Sequence, residues 1–202
     1  MSAMPAVADH GDAAAGHHLD RPTKLRQFRM LVQLLIVSDA VFVAAMFFSY
    51  LYLRALNVNN MWLPAKVHPV GAAASWSIAG LMVVSAVVYR WGDLGGRAGR
   101  RGRQLAGLAV AMLIVLAELV LQIQQLASTG FGAGDGAYAS NYYAMAGYHA
   151  VHLVLLLLLG LGITIRAARG VYRSGDYNEV SLLGYWWYWV AFTAIAMAVL
   201  PH

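Results

Sequence analysis

Five apolar stretches, each long enough to cross a lipid bilayer, dominate this 202-residue sequence. They cover residues 30–53, 69–90, 105–127, 141–165 and 181–200. A helix needs about 20 apolar residues to cross the hydrocarbon core, and helices satisfy their own backbone hydrogen bonds there. Only 11% of the residues are charged and 60% are hydrophobic, which excludes a soluble domain. The sequence therefore predicts an all-α integral membrane protein with five transmembrane helices.

The basic residues predict the orientation of the chain in the membrane. Of its 14 Lys and Arg residues, all but Arg54 and Lys66 fall in the N-terminal segment and in the loops after spans 2 and 4. Because Lys and Arg accumulate in cytoplasmic segments, we predict a cytoplasmic N-terminus and an external C-terminus. This placement between apolar segments does not indicate nucleic-acid binding. Residues 1–27 are predicted to form a mobile cytoplasmic tail, and residues 28–202 a five-helix bundle.

Four ionisable residues lie inside the predicted spans, where such groups usually face protein or water rather than lipid. They are Asp39, Glu118, His149 and His152. For Asp39 two interpretations remain open: a proton-relay or lipid-contact group, or a neutral acid bonded to a neighbouring helix. Glu118, Gln122 and Gln125 form one polar stripe along span 3 because of their helical spacing. The stripe either hydrogen-bonds another helix or lines a water-filled path.

The two histidines of span 4 raise the question of a metal or haem site. His149 and His152 share a face, about 60° apart around the helix. Neither has the preceding Glu of a carboxylate metal site, and no other predicted span contains a histidine to complete a haem site. The absence of cysteine excludes iron–sulfur and thiolate copper sites. We therefore predict no metal site and no catalytic residue, and favour buried, hydrogen-bonded histidines over a metal shared with another subunit.

The depth of the histidines in the membrane suggests where their hydrogen-bond partners lie. Span 4 enters from the external side near Asn141, which places His149 and His152 roughly two to three turns below that surface. Gln122 and Gln125 lie at a similar depth in span 3, which a short loop joins to span 4. We expect the polar stripe of span 3 to supply a partner for at least one histidine.

The segment "DGAYASNYYAMAGYHAVH" resembles the subunit III family of haem–copper terminal oxidases. That family reads Asp-Gly-x-Tyr-Gly-Ser, two aromatic residues, and then Gly-Phe-His-x-x-His. The matching positions are Asp135, Gly136, Tyr138, Ser140, Tyr142, Tyr143, Gly147, Tyr148, His149 and His152. In span 1, "SDAVFVAAMFFSYLYLRA" is similar to the family's Ser-Glu-x-Met-Phe-Phe helix, with Asp39 in the place of the carboxylate.

The remaining family segments are matched in part. Gln122 fits the family's Leu-Gln-x-x-Glu-Tyr segment, but Gln125 stands where the family has Glu. The final "YWWYWVAF" is similar to Tyr-Trp-His-Phe-Val-Asp-Val-Val. There Tyr185 and Trp186 match, while Trp187 and Val190 replace the family's His and Asp.

The resemblance covers about residues 28–202 and implies a five-span bundle with a V-shaped cleft that holds lipid. It implies a non-catalytic supporting subunit of a respiratory oxidase that reduces oxygen to water and pumps protons across a bacterial inner membrane. Such a subunit aids proton uptake, lipid binding, assembly and stability during turnover. Its implied partners are phospholipid and subunits I and II, which carry haem and copper, whereas this chain carries no cofactor. Asp39 and Glu118 become the proton-uptake or lipid-cleft candidates.

Two alternatives to an oxidase subunit remain. One is an accessory membrane protein of a nitric oxide reductase, which belongs to the same superfamily. The other is a small proton-coupled transporter with Asp39 and Glu118 on its path. The catalytic subunit itself is excluded, because it needs metal-ligating histidines on several helices, and the copper-bearing subunit II is excluded by the absence of cysteine.

Overall fold

The computed structural model describes residues 21–174 and 178–200, and it consists of five long α-helices. They are α1 (Arg21–Leu56), α2 (Ala72–Arg97), α3 (Arg101–Ala127), α4 (Ala137–Ala168) and α5 (Asn178–Val199). The described residues contain no β-strand. Each of the five helices is long and apolar enough to span a membrane. The predicted all-α, five-span architecture is therefore confirmed, while the orientation of the termini stays a prediction.

The helices extend beyond the apolar stretches that predicted them. α1 begins at Arg21, earlier than the boundary predicted at residue 28, so residues 21–27 of the predicted tail are helical. Pro22 suits a first turn, where amide hydrogens have no partner inside the helix, and the Lys, Arg and Gln residues that follow are good helix formers. Apolar length marks where a helix crosses lipid, not where it begins. Residues 1–20 of the predicted tail lie outside the described residues.

Helices α2 and α3 form a tightly packed hairpin in which two glycines face each other. A Cβ atom added at Gly107 would lie 2.4 Å from the Cα atom of Gly92. Gly99, with a φ of 71°, turns the chain between the two helices in a conformation that favours glycine. Small residues therefore allow the backbones to approach, as the Gly- and Ala-rich second span leads one to expect.

The main core lies among α2, α3, α4 and α5, and Trp187 is one of its largest fully buried side chains. The Trp187 ring stacks on Tyr89 with 4.5 Å between centroids. Its Nε1 donates to the Ser85 hydroxyl over 2.8 Å, and that hydroxyl donates to the carbonyl of Ala111. Since these buried polar atoms are satisfied, α5 is fixed firmly against α2 and α3.

A second core closes the end of the bundle opposite the basic loops. It is built largely from aromatic side chains, among them Tyr50, Trp62, Phe131, Tyr138 and Tyr142. The Tyr138 hydroxyl accepts a hydrogen bond from the amide of Val70 over 2.9 Å. Gly136 precedes α4 with a φ of 142°, and a Cβ there would lie 2.9 Å from Pro64. The Asp-Gly-x-Tyr segment therefore builds the start of α4 and its contact with the loop after α1.

Candidate functional site in the transmembrane bundle

Asp39 is the centre of a polar cluster that joins three helices. Its side chain, on α1, is 13% exposed and faces α4 and α5. The hydroxyl of Tyr148 and the indole Nε1 of Trp189 both donate to Asp39 Oδ2, the latter over 2.6 Å. Nε2 of His152 lies 3.4 Å from Asp39 Oδ1, within ion-pair range but long for a hydrogen bond. We call Asp39, Tyr148, His152 and Trp189 the Asp39 cluster.

The ring of His152 is oriented so that it faces Asp39 with one particular nitrogen. Its Nδ1 lies 2.8 Å from the carbonyl oxygen of Tyr148, and because a carbonyl only accepts, Nδ1 carries a hydrogen. A neutral His152 then presents a bare Nε2 to Asp39 Oδ1. Those two atoms face each other favourably when one of them carries a proton. The Asp39 cluster therefore offers two neighbouring atoms, Asp39 Oδ1 and His152 Nε2, either of which can accept a proton.

Glu118 and His149 form a second contact between a carboxyl group and an imidazole, deep between α3 and α4. Nε2 of His149 lies 2.9 Å from Oε1 of Glu118, and their side chains are 4% and 0% exposed. We call these two residues the Glu118 pair. Their other polar atoms, Glu118 Oε2 and His149 Nδ1, are buried and have no hydrogen-bond partner in the described part of the chain. The predicted hydrogen bond from span 3 to a span-4 histidine is confirmed.

A cavity of about 50 Å³ lies beside the Glu118 pair. Its lining includes His149, Gln122, Gln125 and Tyr142. Among the residues that the structure describes, Gln125 Oε1 and the Tyr142 hydroxyl are also buried without a partner. The volume exceeds what one water molecule needs, and its polar atoms offer the partners that a buried water requires. The polar stripe of span 3 thus contacts α4 and also borders a cavity suited to water.

The two histidines do not share a ligand. His149 contacts Glu118 on α3, and His152 contacts Asp39 on α1. The face that the two histidines share on α4 therefore packs against two different helices. Within residues 21–174 and 178–200, no group of three or more His, Cys, Asp or Glu residues is placed to hold a metal ion. Helix α4 therefore takes part in two separate carboxyl–imidazole contacts, one with α3 and one with α1.

Tyr148 and Trp189 could not be identified from the sequence as partners of Asp39. Trp189 belongs to a run of aromatic residues in which Tyr185, Trp189 and Phe192 share one face of α5 by helical spacing. An indole in an apolar environment usually finds an acceptor for its N–H group, and that need is the signal that could have drawn attention to Trp189. The acceptor could not be identified, because it lies 150 positions away in the sequence.

Two clefts flank the first half of α1, on the side of the Asp39 cluster toward the basic loops. One, of about 620 Å³, lies between α1 and α5 and includes Trp189 and Arg29. The other, of about 440 Å³, lies among α1, α4 and α5 and includes Arg166. Val32 borders both clefts, and most of their lining side chains are apolar. The larger cleft reaches the Asp39 cluster through the Trp189 side chain.

Comparison with known proteins identifies the family to which the chain belongs. The sequence profile of the family described as Cytochrome c oxidase subunit III matches residues 8–195. The chain belongs to the cytochrome c oxidase subunit III family. It is 25% identical over 187 residues to cytochrome c oxidase subunit 3 of Thermostichus vulcanus, which covers 91% of this chain and 90% of the relative. It is 21% identical over 179 residues to the protein of the same name from Mus musculus, covering 87% of this chain and 68% of the relative.

The contacts of the span-4 histidines bear on the question of a haem or metal site. We expect the purified chain alone to show no haem or copper absorbance, because His149 and His152 are on one helix and each faces a carboxyl group. An optical spectrum and metal analysis of the isolated subunit measure this. A stoichiometric haem or copper in that preparation contradicts the prediction.

Proposed function

We propose that this chain, a supporting subunit of a haem–copper oxidase, keeps its complex active during sustained turnover through the Asp39 cluster. In this proposal the cluster holds α1 against the rest of the bundle and takes part in proton uptake. Phospholipid fills the clefts beside α1. The chemistry of oxygen reduction belongs to the partner subunits.

The observation that carries the proposal is the way α1 is attached. Among the described residues of α1, only Val43 and Tyr50 are buried hydrophobic residues, whereas most of its large apolar side chains are exposed. Asp39 receives hydrogen bonds from both α4 and α5. In an apolar environment, water does not compete for the hydrogen bonds of a polar contact. Such a contact can therefore fix the position of a helix that packs loosely elsewhere.

The clefts beside α1 have the chemistry that a phospholipid needs. Their walls are mostly apolar, which suits acyl chains, and Arg29 and Arg166 border them near the end of the bundle with the basic loops. Guanidinium groups at that level can bind the phosphate of a headgroup. We therefore place phospholipid between α1 and the α4–α5 wall.

Proton uptake is the second part of the proposal. Asp39 lies about 15 Å along α1 from Arg29, at roughly 1.5 Å per residue, and is therefore near the middle of the membrane. With the N-terminus and the basic loops on the cytoplasmic side, the Asp39 cluster would take protons from that side. Toward the opposite surface, Glu118 contacts His149 while Gln122 and Gln125 line the cavity beside them, and Glu118 is the second candidate for proton handling.

The partners follow from the family. We propose that the chain assembles with subunits I and II of a terminal oxidase, that these subunits hold the haem and copper, and that the complex lies in a bacterial cell membrane. The exposed apolar faces of α1 and α3 supply surface for such contacts, with Phe42, Phe48 and Leu113 all more than half exposed. The match to the subunit III family model favours an oxidase subunit over the nitric oxide reductase and transporter alternatives.

An Asp39→Asn variant tests the proposal. Asparagine keeps the size of the side chain and one acceptor oxygen but cannot carry the charge or the proton. We expect an initial rate of oxygen consumption close to that of the unmodified complex, followed by a severalfold faster loss of activity during turnover. The measurement is oxygen consumption by the purified complex over successive additions of reductant, together with the amount of this chain retained.

Ser38→Ala is the matched control for Asp39→Asn. Ser38 is the exposed neighbour of Asp39 on α1, and its side chain takes no part in the hydrogen bonds and ion pair that define the Asp39 cluster. Its variant should lose activity at the rate of the unmodified complex. Immediate and complete loss of oxygen consumption in Asp39→Asn would place Asp39 on the main reaction path and contradict the proposed supporting role.

A further inference from the structure

A polar pocket lies at the end of the bundle that carries the basic loops, apart from the clefts beside α1. It has a volume of about 120 Å³ and lies among the end of α2, the start of α3 and the segment after α4. Arg101, Gln104 and Tyr172 are the polar side chains of its lining. The volume admits a small ion or group of several atoms, larger than a single water.

Two hydrogen-bond donors in this pocket are buried and lack an acceptor. Gln104 is 3% exposed, and its Nε2 has no hydrogen-bond partner in the described part of the chain. Nε of Arg101 is likewise buried without a partner, although another nitrogen of the same guanidinium donates to the carbonyl of Ala168. A buried donor without an acceptor costs free energy, so a ligand that supplies acceptor oxygens would bind favourably here.

The start of α3 adds to the preference for an anion. α3 begins at Arg101, whose amide donates to the carbonyl of Gly99, and the preceding Arg100 supplies no side-chain cap to the other amide hydrogens of the first turn. Those amides and the helix dipole favour negative charge at this end. The Gln104 amide lies close to the α2 backbone, since a Cβ at Gly96 would fall 2.6 Å from its Nε2. The donor is therefore held in place.

The acidic side chains that the structure describes near this end of the bundle are already paired with other arginines. Asp93 already pairs with Arg90 and Arg97, and Glu179 pairs with Arg166. Among the described residues, Arg101 makes no salt bridge with a carboxylate. Within the described part of the chain, the pocket therefore combines one guanidinium, one buried amide donor and a helix N-terminus without a carboxylate paired to Arg101.

We infer that this pocket binds a phosphate group through Arg101, Gln104 and the N-terminus of α3. The phosphate belongs either to the headgroup of a phospholipid or to free inorganic phosphate. Both sources present the same tetrahedral set of acceptor oxygens to the planar guanidinium. This site is separate from the Asp39 cluster and from the clefts proposed above.

The test compares Gln104→Glu with Arg169→Gln in the purified, delipidated oxidase complex. Both variants make the net charge more negative by one at the same end of the bundle. Arg169 is exposed and does not line the pocket. Short-chain phosphatidylglycerol and a neutral galactolipid with the same acyl chains are titrated and followed by native mass spectrometry. Inorganic phosphate is titrated separately by equilibrium dialysis.

We expect the highest-affinity phosphate-containing ligand to bind about tenfold more weakly to Gln104→Glu and little changed to Arg169→Gln. A loss confined to phosphatidylglycerol identifies the lipid headgroup, and a loss seen with inorganic phosphate identifies the free ion. If Gln104→Glu fails to assemble, Arg101→Lys replaces it. That variant keeps the charge and loses the Nε donor, with Arg169→Lys as its control.

The inference is overturned if the pocket variant binds phosphatidylglycerol as tightly as its control does, and also binds inorganic phosphate as tightly as its control does. A galactolipid that loses affinity as strongly as phosphatidylglycerol also overturns it, because that lipid carries no phosphate. Asp39→Asn leaves this pocket intact and should bind phosphate as the unmodified complex does. The phosphate site and the proposed role of the Asp39 cluster can therefore fail separately.

Discussion

In a His149→Leu variant, the complex is expected to lose about 3 kcal/mol of stability, within the range seen when one partner of a buried pair is removed. Glu118 is 0% exposed, and its Oε2 already has no partner among the described residues. Leucine would leave Oε1 without a partner as well, on a side chain that the protein buries completely. The metal content of the complex should not change, since His149 contacts a carboxyl group rather than a metal.

The double variant Glu118→Leu with His149→Leu separates the loss of the pair from the loss of packing. It removes both polar groups and replaces them with side chains of similar size. Most of the lost stability should therefore return. His68→Leu is the matched control, because His68 is exposed in the loop after α1 and its replacement should change stability by less than about 0.5 kcal/mol.

All three variants are compared by the temperature at which this chain is released from the purified complex. The haem and copper content of the complex is measured alongside. A double variant as unstable as His149→Leu would show that packing, not the unpaired carboxyl group, determines the loss. Loss of haem or copper in His149→Leu would contradict the assignment of His149 to a structural pair.

A hydrogen bond between the polar stripe of α3 and a histidine of α4 could be predicted from sequence because these helices are adjacent and antiparallel. A short loop joins α3 to α4, so depth below one membrane surface suffices to bring polar positions together. The choice of Glu118 for the direct contact, with Gln122 and Gln125 beside the cavity, depends on helix rotation. Periodicity gives the face of a helix but not the residue that meets a given side chain.

The Asp39 cluster could be predicted only in part. A carboxyl group in an apolar span must find a partner, and that need favoured a bond to a neighbouring helix. Which helix it meets depends on how α1 lies against α4 and α5, and the sequence separations of 109 and 150 positions to Tyr148 and Trp189 carry no local signal.

The departures from the family pattern also acquire a physical meaning in the structure. Trp187, in the place of a histidine, is fully buried, stacks on Tyr89 and donates to Ser85. Val190, in the place of an aspartate, is fully buried in the same core. At these two positions, side chains that pack in the core stand in place of polar residues of the family pattern.

The second large effect is expected at Gly107, where α3 touches the backbone of α2. A Cβ at this position would lie 2.4 Å from Cα and 2.7 Å from N of Gly92, and neither atom can move without shifting a helix. Gly107→Ala should therefore separate α2 from α3 and cost about 2 kcal/mol or more, within the range for overpacking. Because Gly92 has no side chain, there is nothing at that position that could move aside for the added methyl group.

Gly80→Ala on α2 is the control for Gly107→Ala, because a Cβ there meets nothing within 4 Å. In a helix interior, alanine is favoured over glycine by roughly 0.5–1 kcal/mol, so this control should be neutral or stabilising. The yield of assembled complex and its thermal release of this chain should fall for Gly107→Ala alone. If both variants behave alike, the close approach of α2 and α3 at Gly92 and Gly107 does not hold the hairpin together.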